Sequence, residues 1–364
     1  MNKKVRYLFA FCLMLIVLVL PVQAKAVLSA ASARPPEGLR LCGESVPFDQ
    51  NHVRERFEKE MLLTLFDRPQ VLLWLKRTTR YMPFISQSLD QAGLPNDIKY
   101  LSIIESALRP HAGSPKGAIG FWQLMPETAR KYGLKVDEFV DERRDLFLST
   151  PAAIAYLQAL HAKFSSWTLT LAAYNMGEEG LEAEILEQKT DDYYKLYLPL
   201  ETQRFVFRML AVKLIVSDPE RYGFDLAPGD FYAPIGFDTV AVDCFQEAPI
   251  RLVAEAANAY FKQIKDLNPH LRGHYIRAGH HQLRVPQGSA SGFRQRFDTL
   301  VSAYSKERSH RIYVVQNGDS LSTIAEKFGV PLAALLIWNR IGVDKMLHPG
   351  DRLVIYPGSI VFGK

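Results

Sequence analysis

Leu94-Pro95-Asn96-Asp97-Ile98-Lys99-Tyr100-Leu101-Ser102-Ile103-Ile104-Glu105-Ser106-Ala107-Leu108-Arg109-Pro110 leads on to Ser114-Pro115-Lys116-Gly117-Ala118-Ile119-Gly120-Phe121-Trp122-Gln123-Leu124-Met125-Pro126. The first part reads as a helix. Proline suits a first turn, Asp97 complements the positive helix end, and Arg109-Pro110 stops the run. Ile98, Leu101 and Glu105 then share one face, with Ile103, Ile104, Ala107 and Leu108 crowding the acid. Poor solvent and the negative pole of the last turn both disfavour an ionised carboxylate, so the pKa of Glu105 should rise. A general acid working near neutral pH needs that property. On these residues alone, an exposed or ion-paired helix glutamate is the readier explanation.

Outward from this stretch, apolar residues recur at helical spacing from Val53 to about Tyr222, which predicts a mostly helical domain. Pro228-Gly229 opens a change of composition, and short β-type runs follow at Asp238 to Val242 and Gln282 to Val285. Ile264 to Pro286 echoes Leu335 to Pro357. In the first, Leu267-Asn268-Pro269 leads to Leu283-Arg284-Val285-Pro286; in the second, Trp338-Asn339-Arg340 leads to Leu353-Val354-Ile355-Tyr356-Pro357. Each copy reads as strand, two helices, strand, with opening strands at Thr239 to Val242 and Tyr313 to Val315. The expected organisation is a signal peptide at 1–24, an N-terminal extension at 25–52, a helical domain at 53–228, a first small module at 229–286, a linker at 287–310 and a last module at 311–358.

The signal rests on Lys3, Lys4 and Arg6 before an apolar run from Tyr7 to Leu20, with Val22-Gln23-Ala24 at cleavage spacing. The run is short for a membrane span. Of 44 Lys and Arg, removing these three leaves 41 against 39 acids, a net of +2. So balanced a surface gives no reason to expect a nucleic-acid partner. Cys42 and Cys244 remain beyond the signal, and export would permit one disulfide between them without requiring it.

Ser114 and Gln123 offer hydrogen bonds suited to sugar hydroxyl and acetamido groups, and Gly117 and Gly120 permit close approach of the backbone. Further on, Ala173-Tyr174-Asn175-Met176-Gly177 ends a helical segment with an aromatic and an amide. Together with Glu105-Ser106, Ser114, Gly117-Ala118, Gly120, Trp122-Gln123 and Met125-Pro126, this order and spacing resemble the lytic transglycosylases, specifically the membrane-bound lytic murein transglycosylases. The fit runs through Asp141-Glu142-Arg143-Arg144-Asp145 and Leu198-Pro199-Leu200-Glu201-Thr202. The resemblance implies a lysozyme-like helical fold and non-hydrolytic cleavage between N-acetylmuramic acid and N-acetylglucosamine, with no metal or organic cofactor. It implies that Glu105 is first acid and then base, and that Ser114, Gln123, Met125, Tyr174 and Asn175 line the glycan cleft, Tyr174 orienting the carboxyl. One departure is Phe205, where family members commonly carry tyrosine. No partner carboxylate announces itself near Glu105, although Asp137, Glu138, Asp141 or Glu142 could fold back to the cleft.

Tyr313 to Ala325, with Phe328-Gly329-Val330, Asn339 and Leu347-His348-Pro349-Gly350-Asp351-Arg352-Leu353, resembles a LysM domain. Asn317-Gly318-Asp319 turns the chain, Asp319 or Ser320 caps a helix, and Leu321, Ile324, Ala325 and Phe328 form its buried stripe. The resemblance implies that Gly318, Asp319, Ser320, Leu321, Asn339 and Ile341 border a glycan groove. The earlier copy has Cys244-Phe245-Gln246-Glu247 in place of the Gly-Asp-Ser turn. The expected fold class is mainly α, a lysozyme-like domain followed by small α+β modules of βααβ type. The expected partners are peptidoglycan strands, with no obligate protein partner, in the periplasm or cell envelope, membrane association being open. Rival readings are a hydrolytic muramidase on the same fold and a wall-binding scaffold without turnover.

Overall fold

The computed structural model describes residues 30–309 and 311–356; the signal read at 1–24 lies outside them. The chain divides into two compact units, one of the described residues up to Gly133 with Leu146–Pro234, the other of Leu134–Asp145 with the described residues from Ile235.

Unit 1 begins with a short ladder of β1 (Arg40–Leu41) and β2 (Glu44–Ser45) and is otherwise helical. Its helices are α1 (Asn51–Phe66), α2 (Arg68–Gln91), α3 (Leu101–Ser106), α4 (Pro126–Lys131), α5 (Leu146–Phe164), α6 (Trp167–Met176), α7 (Glu178–Gln188) and α8 (Leu200–Ser217). Helix α1 packs on α8, while α5 and α8 both pack on α6. Phe57, Met61, Leu101, Leu157, Ala172, Phe205 and Leu210 are buried in the core. Trp122 joins them because its indole N–H finds Thr150 Oγ1 at 3.0 Å, sparing a buried donor from going unpaired.

The helix expected to reach Arg109 is shorter. A 3-10 turn at Asn96–Tyr100 feeds α3, which stops after Ser106 because Ala107 and Leu108 turn left-handed, at φ +52° and +58°. Their N–H groups donate back to Ile103 O (2.7 Å) and Ser102 O (3.3 Å), the double closure that ends a helix. Side chains take the last carbonyls: Arg109 Nε donates to Ser106 O at 3.0 Å and Arg77 Nη1 to Ala107 O at 3.1 Å. The chain therefore leaves the helix one residue after Glu105.

Unit 2 contains the two βααβ copies. In the first, β3 (Phe237–Cys244) pairs antiparallel with a later strand, Gly279–Pro286, from Phe237 against Pro286 to Cys244 against Gly279. Between them lie β4 (Ala248–Pro249), α9 (Ile250–Ala256), α10 (Phe261–Leu267) and β5 (Tyr275–Ile276), and the closing strand is β6. Alternation along β3 turns Val240, Val242 and Cys244 inward. The segment 287–310, expected as a linker, instead forms α11 (Phe293–Ser309) over most of its length, whose Phe293, Phe297 and Tyr304 belong to this core. An amphipathic stretch with three aromatics on one face has more to gain by packing than by bridging.

The second copy is β7 (Ile312–Val314), α12 (Leu321–Lys327), α13 (Leu332–Asn339) and β8 (Arg352–Val354), around Leu321, Ile324, Ala325, Leu335 and Leu353. One asparagine performs the same task in each copy. Asn339 Nδ2 donates to Leu335 O (2.9 Å) and Val354 O (2.8 Å), and its Oδ1 accepts from Val354 N–H (2.6 Å). Asn268 does likewise with Ile264 O (2.8 Å), Arg284 O (2.7 Å) and Arg284 N–H (2.9 Å). Each tethers the second helix to the closing strand, and fixes the register between copies. Cys42 and Cys244 are buried, separate thiols.

Candidate active site

Glu105 sits on the last turn of α3, half-buried, at the floor of a cleft of about 630 Å3. Among the described residues none donates a hydrogen bond to its carboxylate. Burial is the main cause that pushes its pKa up to about 8; the Arg208 guanidinium pulls it down and the Glu201 carboxylate pushes it further up. The acid is thus held protonated at neutral pH, as its apolar surroundings require.

All the cleft residues expected from the sequence meet here: Ser114, Gln123, Met125, Tyr174 and Asn175 line the same cavity as Glu105. Strain and tethers position them. Ser106 Oγ donates to Phe121 O at 2.9 Å, tying the helix end to the following loop. In that loop Gln123 is left-handed at φ +47°, and its Nε2 donates to Ala112 O (3.1 Å) and Gly120 O (2.8 Å). With Ala107 and Leu108, this makes three non-glycine residues in a conformation costing about 1 kcal/mol each. Ser114 Oγ accepts from Ala118 N–H at 3.1 Å, and Met125 presents an exposed thioether.

Tyr174 ends α6, and its hydroxyl donates to Trp122 O at 2.5 Å rather than to the acid. The hydroxyl pKa is raised by burial and by Glu105 nearby. Asn175 Oδ1 accepts from Thr202 Oγ1 at 2.8 Å, joining α6 to the start of α8. Gly177, at φ +94°, breaks the chain between α6 and α7, where Glu178 and Glu179 occupy the first turn. Phe205 is buried on α8 in the helical core, so it packs the fold and is not a wall of the cleft.

Sequence reasoning passed over Tyr156 and Glu201, both of which line the cleft. The Tyr156 ring lies 5.3 Å from that of Tyr174 and 5.4 Å from that of Tyr132, and burial pushes its hydroxyl up to about 12. Glu201 is the second carboxylate of the cleft. Its stretch, Leu198 to Thr202, belongs to the resemblance, but its place in the cleft is set by the packing of α8 against α6, which local sequence does not display. The acids considered for that place belong to unit 2: Asp137 accepts from Phe139 and Val140 N–H, Glu142 from Lys135 N–H and Asp141 from Arg143, while the exposed Glu138 meets Arg277 at 3.9 Å. A second cavity, of about 360 Å3, also reaches Glu105, and there Glu60, Trp74, Arg204 and Arg208 face it. Arg204 is committed to the buried Glu60 by two contacts of 2.7 and 3.0 Å.

Residues 82–197, which carry all of this cleft's named lining but Glu201, match the family model described as transglycosylase SLT domain. The chain carries a transglycosylase SLT domain. Residues 313–355 match the LysM domain, and residues 236–302 match the LysM-like domain of lytic transglycosylase MltD, so the SLT domain is followed by two LysM-type modules. Membrane-bound lytic murein transglycosylase D of Escherichia coli K12 is 34% identical over 298 residues, 78% of this chain. The chain spans 65% of the length of that relative. Among solved structures, the 70 kDa soluble lytic transglycosylase of Escherichia coli is similar at 17% identity, over 48% of this chain and 32% of its own, with a TM-score of 0.34. The lytic transglycosylase Slt of Pseudomonas aeruginosa is 23% identical over 38% of this chain and 24% of its own, with a TM-score of 0.29.

In the second LysM module the expected groove residues have mixed duties. Gly318, at φ +86°, and Ser320 are exposed, but Ser320 Oγ accepts from Thr323 N–H at 3.1 Å and caps α12. Asp319 accepts from Gln316 N–H and from the Tyr313 hydroxyl, both at 2.7 Å, and this donation holds its carboxyl below the usual range. Leu321 is buried in the core and Asn339 is fully engaged with the backbone, while Ile341 is half-buried against the core.

Proposed function

We propose that this chain is a lytic transglycosylase of peptidoglycan, cutting the β-1,4 bond between N-acetylmuramic acid and N-acetylglucosamine. One observation carries the reading: Glu105, in the cleft of the SLT domain, is held protonated at neutral pH. Glu105 gives its proton to the glycosidic oxygen as the C1–O4 bond breaks. The resulting carboxylate takes the proton of the muramoyl 6-hydroxyl as O6 closes onto C1. The product is a 1,6-anhydro sugar, Glu105 ends protonated, and no water is consumed.

Ser114, Gln123, Met125 and Asn175 would contact the glycan, and Tyr174 would hold the loop carbonyl of Trp122 beside the acid. The LysM modules would retain the polymer, raising the concentration of bonds at the cleft. Such an enzyme works in the cell envelope, exported by its N-terminal signal, and the relative's membrane-bound character makes attachment to a membrane the natural expectation.

Glu201 favours a second reading. A carboxylate across a cleft from an acid can activate water, as in inverting glycosidases, which would make the enzyme a muramidase. Digesting purified cell wall and weighing the muropeptides separates the two. Anhydro ends are lighter by one water than hydrolysed ends; a profile of reducing ends alone rejects the transglycosylase.

A further inference from the structure

The equivalence of Asn268 and Asn339 lays one module over the other. Residues Asn339–Ile341, one lip of the glycan groove proposed for the second module, correspond to Asn268–His270 in the first. That lip is occupied. Asp141 N–H donates to His270 O at 2.8 Å, Arg272 N–H donates to Phe139 O at 2.7 Å, and Val140 bridges to Leu271 as a strand would. Side chains of the module reinforce the pairing: Arg272 Nη1 donates to Asp137 O at 2.8 Å, Arg277 Nη1 meets Asp137 at 3.4 Å, and the Arg277 guanidinium lies 4.4 Å from the Phe139 ring, as does that of Arg340 from the second module. The downstream end of the segment is clamped more firmly. Asp145 is fully buried, accepts from His270 Nδ1 at 2.8 Å and from Arg284 at 2.5 and 2.9 Å, and Arg284 is the same residue whose backbone Asn268 holds. The other lip has Cys244-Phe245-Gln246-Glu247, with Phe245 fully exposed, where the second module has its Gly-Asp-Ser turn.

We propose that the first LysM-type module is closed to sugar: the lip that borders glycan in its twin instead binds a turn of its own chain, residues 136–141, closed by the Val136–Asp141 bridge and held on the module through backbone bonds. Main-chain bonds supply the hold, and the Asp145 clamp on His270 and Arg284 fixes where the turn sits. This inference rests on the glycan-binding reading of the second module for its account of what the lip would otherwise do.

Hydrogen exchange on the full chain, with and without a hexamer of N-acetylglucosamine, tests it. The amides of Asp141 and Arg272 should exchange slowly in the free chain. Sugar should protect 318–321 and 339–341 and leave 268–272 unchanged. Phe139→Ala should speed exchange at Asp141 and Arg272 by about tenfold while the Phe237–Cys244 strand keeps its protection. Asp145→Asn, which keeps the side-chain volume, should do the same through the clamp. Fast exchange at Asp141 and Arg272 in the unaltered chain, or sugar-induced protection at 268–272, overturns the proposal. If the hexamer protects neither module, the glycan reading of the second module fails, and the free-chain rates still decide whether the segment is docked.

Discussion

The cleft of the SLT domain and the turn of the second LysM module were both marked by short runs of unusual residues, yet the two runs do different physical work. Around Glu105 the marked residues converge on one cavity, and the backbone is strained to place them there: Ala107, Leu108 and Gln123 all sit at positive φ. In the module, Ser320 caps a helix, Leu321 fills the core and Asn339 stitches a helix to a strand. A domain the size of unit 1 buries enough apolar surface to carry a desolvated acid, whereas a module of some 45 residues needs side-chain-to-backbone bonds to stay folded. A motif therefore signals chemistry in one place and scaffolding in the other. Substitutions can tell these apart, because the first kind should alter rate without stability and the second stability before affinity.

Glu105→Gln should show the largest effect and the cleanest separation. Losing the proton donor should lower release of soluble anhydro-muropeptides by about 1,000-fold or more, with binding to insoluble wall retained. Its stability should move the other way with pH. The folded pKa of about 8 stands above the ordinary 4.5, so the contribution of the neutral acid is fully present below about 4.5 and is lost as pH rises through 8. Glutamine is never charged. The variant should therefore gain in melting temperature over the wild type as pH goes from 5 to 9, while the wild-type rate falls on an alkaline limb near 8. A limb below pH 6 would remove Glu105 as the acid.

The module makes the opposite prediction. Asn339→Ala deletes two donations and one acceptance and leaves Val354 with unpaired backbone groups, costing about 3 kcal/mol in urea unfolding followed by hydrogen exchange of Arg352–Val354. Asn268→Ala should cost the same in the first copy, since its three bonds are the same. Turnover at the cleft on short soluble glycans should not change in either. A variant that lost sugar affinity with its module intact would make Asn339 a ligand.

Much of this was legible in the residues themselves. Helical periodicity, the apolar collar of Glu105 and the echo between Ile264–Pro286 and Leu335–Pro357 depend on local spacing, which a sequence displays directly. What escaped depends on long-range packing. The early end of α3 is set by two left-handed residues with no glycine to announce them. Glu201 enters the cleft because α8 packs on α6, 27 residues separating its neighbour Thr202 from Asn175. Leu134–Asp145 joins the module across more than 120 residues, as the 125-residue separation of His270 and Asp145 shows. Helix α11 looked like a connector because its Gly, Ser and charge-rich surroundings outweighed three spaced aromatics.

Tyr174 lies between the two kinds. Its hydroxyl serves the backbone, as the module's residues do, but the carbonyl it holds borders the acid. Tyr174→Phe should destabilise unit 1 by about 1.5 kcal/mol, the cost of leaving the Trp122 carbonyl unpaired. If positioning is all it supplies, kcat should fall by no more than about tenfold and the alkaline limb should stay where it is. A limb moved upward would show instead that the phenol, once deprived of its hydroxyl, had been stabilising the carboxylate of Glu105.

Ser320 gives the smallest effect and the sharpest discrimination. Its hydroxyl is exposed, on the proposed groove, yet it accepts from Thr323 N–H and so satisfies one of the donors at the start of α12. Removing such a cap costs about 1 kcal/mol. Thr323 Oγ1 in turn accepts from Ser320 N–H at 2.8 Å, a reciprocal bond that Ser320→Ala leaves in place. The module should then stay folded, with titration of N-acetylglucosamine oligomers giving the wild-type affinity and a urea midpoint that has dropped. Ser320→Asp keeps a capping oxygen but adds a charge to the groove, so it should recover the midpoint. If the alanine variant instead loses tenfold in affinity at an unchanged midpoint, the hydroxyl touches sugar, and the contrast between a chemical cleft and a scaffolding motif no longer holds at this residue.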